Sequence, residues 1–267
     1  MIHPTAIIHA RAKLDPTVHV GPYCVIDEGV ELGPHCVLGP HVYITGLTKI
    51  GTHNHFHAGS VIGGAPQDLK YKGEPTALRI GDHNVFRENV TVNRSTQPGG
   101  ETVVGSHNFL MTYAHIGHNS TIGDGVIIAN CTALAGHVTV NDGAFISANC
   151  GVHQFVRIGQ LSIAQGCSAI AQDLPPFTMM YGINELCGLN IVGLRRAGFS
   201  AADRLELKRL YHALFRSGQN MRLALAEARA RFTSAPAQAM LDFIATSKRG
   251  VCTVVRDRGN PGTQSAD

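Results

Sequence analysis

Residues 18–39 read VHVGPYCVIDEGVELGPHCVLG. Val20, Ile26, Leu32 and Leu38 stand six apart, each with a small or apolar residue two places before it: Val18, Cys24, Val30 and Cys36. Towards the N-terminus the same phase gives Leu14, Ile8 and Ile2. Towards the C-terminus it gives Ile44, Ile50, Phe56 and Ile62, then resumes at Ile80, Phe86 and Val92. It starts again at Val104, runs without a break to Ile158, and closes with Ala164 and Ile170. A helix repeats every 3.6 residues and a strand every 2, so neither has this period. A six-residue repeat is the mark of a parallel β-helix. Three repeats make one triangular coil of about 18 residues, and successive coils stack at about 4.8 Å. The aliphatic residues fill the interior. Cys24, Cys36 and Cys150 fall in the small inward phase and read as buried, reduced packing residues.

The beat fails at 63–79 and 94–103, two stretches rich in Gly, Pro and charge. They read as loops thrown out of the coil, where function concentrates on a rigid scaffold. After QDLPPF (172–177) the repeat ends. The spacing then predicts helices over 199–218, 221–232 and 235–248. Ser200 and Asp203 supply a capping box, with Leu205, Leu207, Leu210, Leu214 and Phe215 as the apolar stripe. The expected organisation is a β-helix over 1–190, a helical domain over 191–255 and a disordered tail over 256–267.

Of the 267 residues, 44% are hydrophobic and 15% charged. No apolar run is long enough to span a membrane, and MIHPTAIIHA lacks the basic start and apolar core of a signal peptide. A cytoplasmic protein is expected. The seven cysteines form no CxxC pair, which argues against a disulfide framework or a structural zinc knuckle. Residues 1–190 hold 9 Lys+Arg and 13 Asp+Glu, while residues 191–267 hold 13 and 6, a net −4 against +7. A basic face of this kind is either a solvated helical surface or a recruiter of an acidic partner. With no tryptophan and no basic–aromatic interleaving, nucleic acid is not expected.

At 18 residues per coil, Gly136 lies one coil above His118, and His137 one coil above Asn119. His153 lies two coils above Gly117. His115, His118, His137 and His153 all fall in outward phases, so none is expected in the core. An outward imidazole can take a proton from a hydroxyl at neutral pH, and a glycine N–H one coil away can face an oxyanion. That pairing suits acyl transfer to an alcohol. A metal site is the rival, but no carboxylate or cysteine accompanies the His115/His118 pair. His3, His9, His19, His35, His41, His53, His55 and His57 read as background.

Three motifs then carry a resemblance: QDLKYKGEPT (67–76), AHIGHNSTIG (114–123), and LAGHV (134–138) with VHQF (152–155). AQDLPP (171–176) and NIVGLRRAGFS (190–200) add to them. On these the chain resembles the UDP-N-acetylglucosamine acyltransferases of lipid A biosynthesis along nearly its whole length. The resemblance implies a left-handed parallel β-helix with a helical C-terminal domain, a homotrimer with active sites between subunits, and no cofactor or metal. A 3-hydroxyacyl chain would pass from acyl carrier protein to the 3-position of UDP-N-acetylglucosamine. His118 matches the general base, Gly136 the oxyanion N–H, and Asn119 the position beside the base where the family often has Asp. Gln67, Asp68 and Lys70 match sugar-nucleotide contacts. His115, His137, His153 and Gln154 match residues lining the site. Asn190 and Arg196 match positions near the nucleotide, and Gly166 a position that gauges acyl length. Asn93, where the family often has His, and Val192, where Glu occurs, leave a 3-amino acceptor open beside the 3-hydroxyl. A zinc hydratase on the same scaffold and a non-catalytic β-helix are the other classes.

Overall fold

The structure is a computed structural model that describes residues 1–254; the expected tail over 256–267 lies outside them. Very short strands stack into three parallel sheets of nine, eight and ten strands, with one antiparallel strand at the end of the third. One column of the first sheet runs Ile8, Ile26, Ile44, Ile62, in steps of 18. At the first loop the partner of Ile62 is Val92, a step of 30, or 18 plus 12. At the second the partner of Val92 is Ile116, a step of 24, or 18 plus 6. Both insertions are whole multiples of six, so the phase survives them. The loops themselves are narrower than the break in the beat. Strands Val61–Gly64, Ala77–Ile80 and Glu101–Val104 carry the ladder up to and away from them, which leaves 65–76 and 94–100 as the excursions.

The beat residues from Val20 to Ile170 form one continuous buried column, and burial of apolar area is the main force holding the stack. Polar residues share the small inward phase where their amides satisfy one another. Asn84 Nδ2 donates to Asn54 Oδ1 at 2.9 Å, and the Asn108 N–H donates to Asn84 Oδ1 at 2.9 Å. All seven cysteines are unpaired, and Cys24, Cys36 and Cys150 are buried.

The corners account for six of the fifteen histidines. The residue three after a beat position sits at φ near +60°, as at His35, His41, His53, His83, His107, Asn119 and His137. Asn and His tolerate that left-handed conformation better than most residues. One corner consequently carries a stacked column, His35, His53, His83 and His107, with ring centroids 4.7 to 5.0 Å apart. Of the eight background histidines, His35, His41 and His53 are such turn residues.

The C-terminal part contains α1 (Ile191–Arg196), α2 (Ala201–Tyr211), α3 (Met221–Arg231) and α4 (Ala235–Ala245). The short α1 escapes the apolar pattern because only Leu194 is buried. The helix expected over 199–218 continues from α2 as a π-turn over His212–Arg216. Its capping box at Ser200 and Asp203 is present, but Leu205 is 49% exposed and does not join the buried stripe of Leu207, Leu210 and Leu214. Asp173, buried at the last coil, ties the two parts together. Arg157 pairs with it at 2.7 Å and reaches across to the carbonyl of Phe243 and the hydroxyl of Thr246. Ser247 donates to the same carboxylate at 2.8 Å. No helix among the described residues is long and apolar enough to cross a membrane.

Candidate active site

His118 stands at the corner between the first and second sheets, directly below Gly136. Contrary to the outward phase, it is only 6% exposed. The loop over 94–100 folds back onto this corner and closes it. Asn119 Oδ1 accepts the Thr96 backbone N–H at 3.1 Å and the Thr96 hydroxyl at 2.9 Å, while its Nδ2 donates to Ser95 Oγ at 2.7 Å. The Asn119 N–H donates to Thr102 Oγ1 at 2.8 Å.

This network fixes a proton. A backbone N–H can only donate, so the amide atom facing Thr96 is the oxygen. The same oxygen lies 2.7 Å from His118 Nδ1. Nδ1 must therefore carry a hydrogen, so the neutral ring is the tautomer with its lone pair on Nε2. The ring is held with Nε2 on the side away from Asn119. Asn119 is thus the orienting group, although it cannot lend a negative charge to the imidazolium.

Gly136 is required by the same ring. A Cβ there would meet His118 Nε2 at 2.6 Å and Nδ1 at 2.9 Å. The direction of its N–H follows from the repeat. Gly136 is two residues after a beat position, the place that holds Pro16, Pro22, Pro34 and Pro40 in the lower coils. Proline fits because no ladder hydrogen bond is needed there. Where other residues fill that place, side-chain oxygens take the N–H: Asp82 Oδ1 from Thr52, and Asp124 Oδ1 from Ser106, both at 2.6 Å. The backbone thus offers these N–H groups outward, to anions. Neighbouring Ala135 and His137 donate to Val152 and His118, but among the described residues nothing takes the Gly136 N–H.

A groove of about 510 Å³ opens here. It is lined by His118, Gly136, Gln67, Asn93, His115, His153 and Gln154 among the expected residues. Its floor climbs the stack over His115, Ala133, Gly151 and Ala169, successive rungs of one sheet. Three of those four are Ala or Gly, which sequence reading of the beat alone does not single out. His137 stands beside the groove, edge-on to His118 at 5.4 Å and stacked on the exposed Phe155 at 4.6 Å. Burial pushes the His115 imidazole down from its ordinary pKa, with His118 adding to the effect. Burial lowers His137 as well, and Asp68 opposes that shift, so the loop carboxylate is within electrostatic reach of this corner. His115 Nδ1 and Thr91 Oγ1 are hydrogen-bonded at 2.7 Å.

Other expected residues lie outside the groove lining. Asp68 Oδ1 accepts the Lys70 N–H at 2.9 Å, fixing the loop turn that carries both. Gly166 is at the opposite edge of the same sheet, where a Cβ would meet Ala148 O at 3.3 Å. Arg196 is exposed at the end of α1. Asn190 is buried and committed to structure: its Oδ1 accepts the Gly193 N–H and its Nδ2 donates to Leu161 O, both at 2.8 Å. Sequence reading missed Ser95, Thr96 and Thr102, because nothing local shows that a loop 23 residues away reaches Asn119. Among the described residues, no group of three or more His, Cys, Asp or Glu is arranged to hold a metal ion.

Comparison with known proteins agrees along the chain. Residues 173–252 match the family model described as Udp N-acetylglucosamine O-acyltransferase, Domain 2. Residues 11–46 and 101–136 match the bacterial transferase hexapeptide model. The acyl-[acyl-carrier-protein]–UDP-N-acetylglucosamine O-acyltransferase of Thermodesulfovibrio yellowstonii is 45% identical over 94% of this chain and 98% of its own length. That of Verminephrobacter eiseniae is 48% identical over 94% and 98%. Among solved structures, the UDP-N-acetylglucosamine O-acyltransferase of Moraxella catarrhalis superposes with a TM-score of 0.90 at 41% identity, covering 94% of this chain and 99% of that one. The Francisella novicida UDP-N-acetylglucosamine acyltransferase gives 0.92 at 36%, covering 95% and 94%.

Proposed function

The chain belongs to the acyl-[acyl-carrier-protein]–UDP-N-acetylglucosamine O-acyltransferase family, and from that premise we propose how its residues perform the acyl transfer that opens lipid A biosynthesis. The observation that carries the reading is the His118 imidazole, held by Asn119 with Nε2 free, against a Gly136 N–H that no protein group takes. Nε2 removes the proton from the 3-hydroxyl of UDP-N-acetylglucosamine as that oxygen attacks the thioester carbonyl of a 3-hydroxyacyl carrier protein. The tetrahedral oxyanion accepts from the Gly136 N–H. Collapse breaks the carbon–sulfur bond, and the departing thiolate takes the proton from His118. The products are the 3-O-acyl sugar nucleotide and the free carrier thiol, and no cofactor enters the balance.

Gln67, Asp68 and Lys70 receive the sugar nucleotide from the loop side, with Arg196 near its phosphates. His115, His137, His153 and Gln154 shape the walls. Asn190 acts indirectly, by capping the helix that presents Arg196. The acyl chain follows the small-residue floor, with Gly166 leaving its far end open. The carrier protein docks on the C-terminal part. Arg204, Lys208, His212 and Arg216 recur every four residues along a groove of about 580 Å³ whose lining includes Leu189 and Leu205. Cations over an apolar floor suit an acidic helical partner. The protein works as a homotrimer in the cytoplasm, and Leu69, fully exposed at the loop tip, and Phe155, exposed beside the groove, are apolar surface that an assembly would cover.

The test is acyl transfer with purified protein, 3-hydroxyacyl carrier protein and either UDP-N-acetylglucosamine or its 3-amino analogue. Turnover of the hydroxyl acceptor, lost in His118→Ala, is expected. Turnover of the amine alone overturns the acceptor assignment, and turnover that survives His118→Ala overturns the base. Charge reversal at Lys208 and Arg216 should raise the KM for the carrier substrate and steepen its salt dependence less than in the unaltered protein.

A further inference from the structure

Asn93 holds a polar atom that the fold does not use. The side chain is 7% exposed and lines the groove beside His118, yet nothing among the described residues donates to its Oδ1. A buried acceptor left bare costs about 1–3 kcal/mol, and of the four such atoms among the described residues, with Thr76 Oγ1, Ser168 Oγ and Tyr211 Oη, only Asn93 Oδ1 lies in the groove lining. The half-buried Asn119 and the buried Asn190 are by contrast engaged, Asn119 with Ser95 and Thr96, Asn190 with Gly193 and Leu161.

The backbone around Asn93 is shaped to leave it so. The ladder slips here, with Ile62 opposite Val92 but Gly64 opposite Asn93, so Gly63 is the extra residue of a bulge. Gly63 has φ +79°, and a Cβ on it would strike Thr45 O and Thr48 Oγ1. A Cβ at Gly64 would lie in ordinary contact with Asn93 Nδ2, at 3.4 Å. Bulges beside sites re-aim side chains. This one gives the Asn93 amide its space, one coil below Gly117 and within the groove that His118 enters.

We propose that Asn93 Oδ1 accepts a hydrogen bond from a donor of the acceptor sugar that flanks the reacting hydroxyl, and so positions that hydroxyl on His118. The inference rests on the reaction proposed above. The reacting hydroxyl has a single hydrogen, which goes to His118, so the partner of Asn93 is a neighbour: the 2-acetamido N–H or the 4-hydroxyl. Asn93 is a positioning residue and touches no reacting atom.

The experiment pairs the residue with the substrate. The unaltered protein and Asn93→Ala are assayed with UDP-N-acetylglucosamine, with its 4-deoxy analogue, and with an analogue whose 2-acetamido nitrogen is methylated. Asn93→Ala should lose roughly 10- to 100-fold in kcat/KM with the natural acceptor. For one of the two analogues the unaltered protein should already show that loss, and Asn93→Ala should add little to it. The KM for the carrier substrate and the thermal midpoint should stay close to the unaltered values. Asn93→Asp keeps an acceptor oxygen and should recover part of the rate. Equal losses on all three acceptors would mean that Asn93 only supports the fold, and would overturn the proposal. If the unaltered protein turns over no acceptor at all, the reaction assignment fails instead.

Discussion

His118 Nδ1 donates to Asn119 Oδ1 across 2.7 Å, and that same oxygen takes the Thr96 N–H from a loop inserted between two coils. The tautomer of the base is therefore set by a segment of chain 23 residues upstream.

Asn119→Asp should keep the geometry and change the charge. A carboxylate favours the imidazolium, so the base is protonated at higher pH than in the unaltered protein. The acid limb of kcat/KM should move up by about one pH unit, as read from the pH–rate profile. Asn119→Leu should lose about 10²- to 10⁴-fold in kcat, because the ring then has no partner to choose its tautomer.

Gly136→Ala should harm the site from inside. The new methyl meets Nε2 and Nδ1 of His118, so the ring must move. A displacement of about 1 Å is enough to cost on the order of 10²-fold in rate. The stability loss should be about 1–3 kcal/mol, measured by denaturant unfolding.

Asp173→Ala should loosen the C-terminal helices from the last coil. It removes the carboxylate that Arg157 and Ser247 share, leaving Arg157 with Phe243 and Thr246, and Ser247 with Gly250. With Arg157 partly exposed, the loss should be about 1–3 kcal/mol, that of hydrogen bonds to a charged group. Urea unfolding followed in parallel by helical and β signals should show the helical signal melting first.

His115 should make stability fall in mild acid. Burial depresses its folded pKa below the ordinary 6.5, so the unfolded chain takes up the proton first. Its contribution is complete above about pH 6.5 and is lost as the pH drops towards the folded value, at no more than about 1.4 kcal/mol per pH unit. His115→Asn should flatten the denaturant midpoint between pH 7 and 5 relative to the unaltered protein.

The coil was legible because each repeat writes the same instruction. Ile116, Leu134 and Val152 are six-residue beats, and their alignment puts Gly136 over His118 without any further information. What stayed hidden comes from contacts between distant segments. Phase alone gives His118 as an outward residue, yet it is buried, at a corner where Ser95, Thr96 and Thr102 hold its neighbour Asn119. Leu205 fits a helical stripe by spacing, but no neighbouring element covers it. Asn190 sits in a motif that resembles a ligand contact, while its buried amide closes a helix end, as caps require. The π-turn at His212–Arg216 has no signature in the pattern of apolar residues.

The floor of the groove is laid in rungs, His115, Ala133, Gly151 and Ala169, one per coil. Its length is accordingly counted in whole steps of about 4.8 Å, close to four carbons of an extended chain. On the acyl path proposed above, a bulkier side chain at Ala133, Gly151 or Ala169 should act as a stop at that step. Lengthening or shortening the tolerated chain is then a question of which rung carries a stop, and single substitutions should change the preference in jumps rather than by degrees.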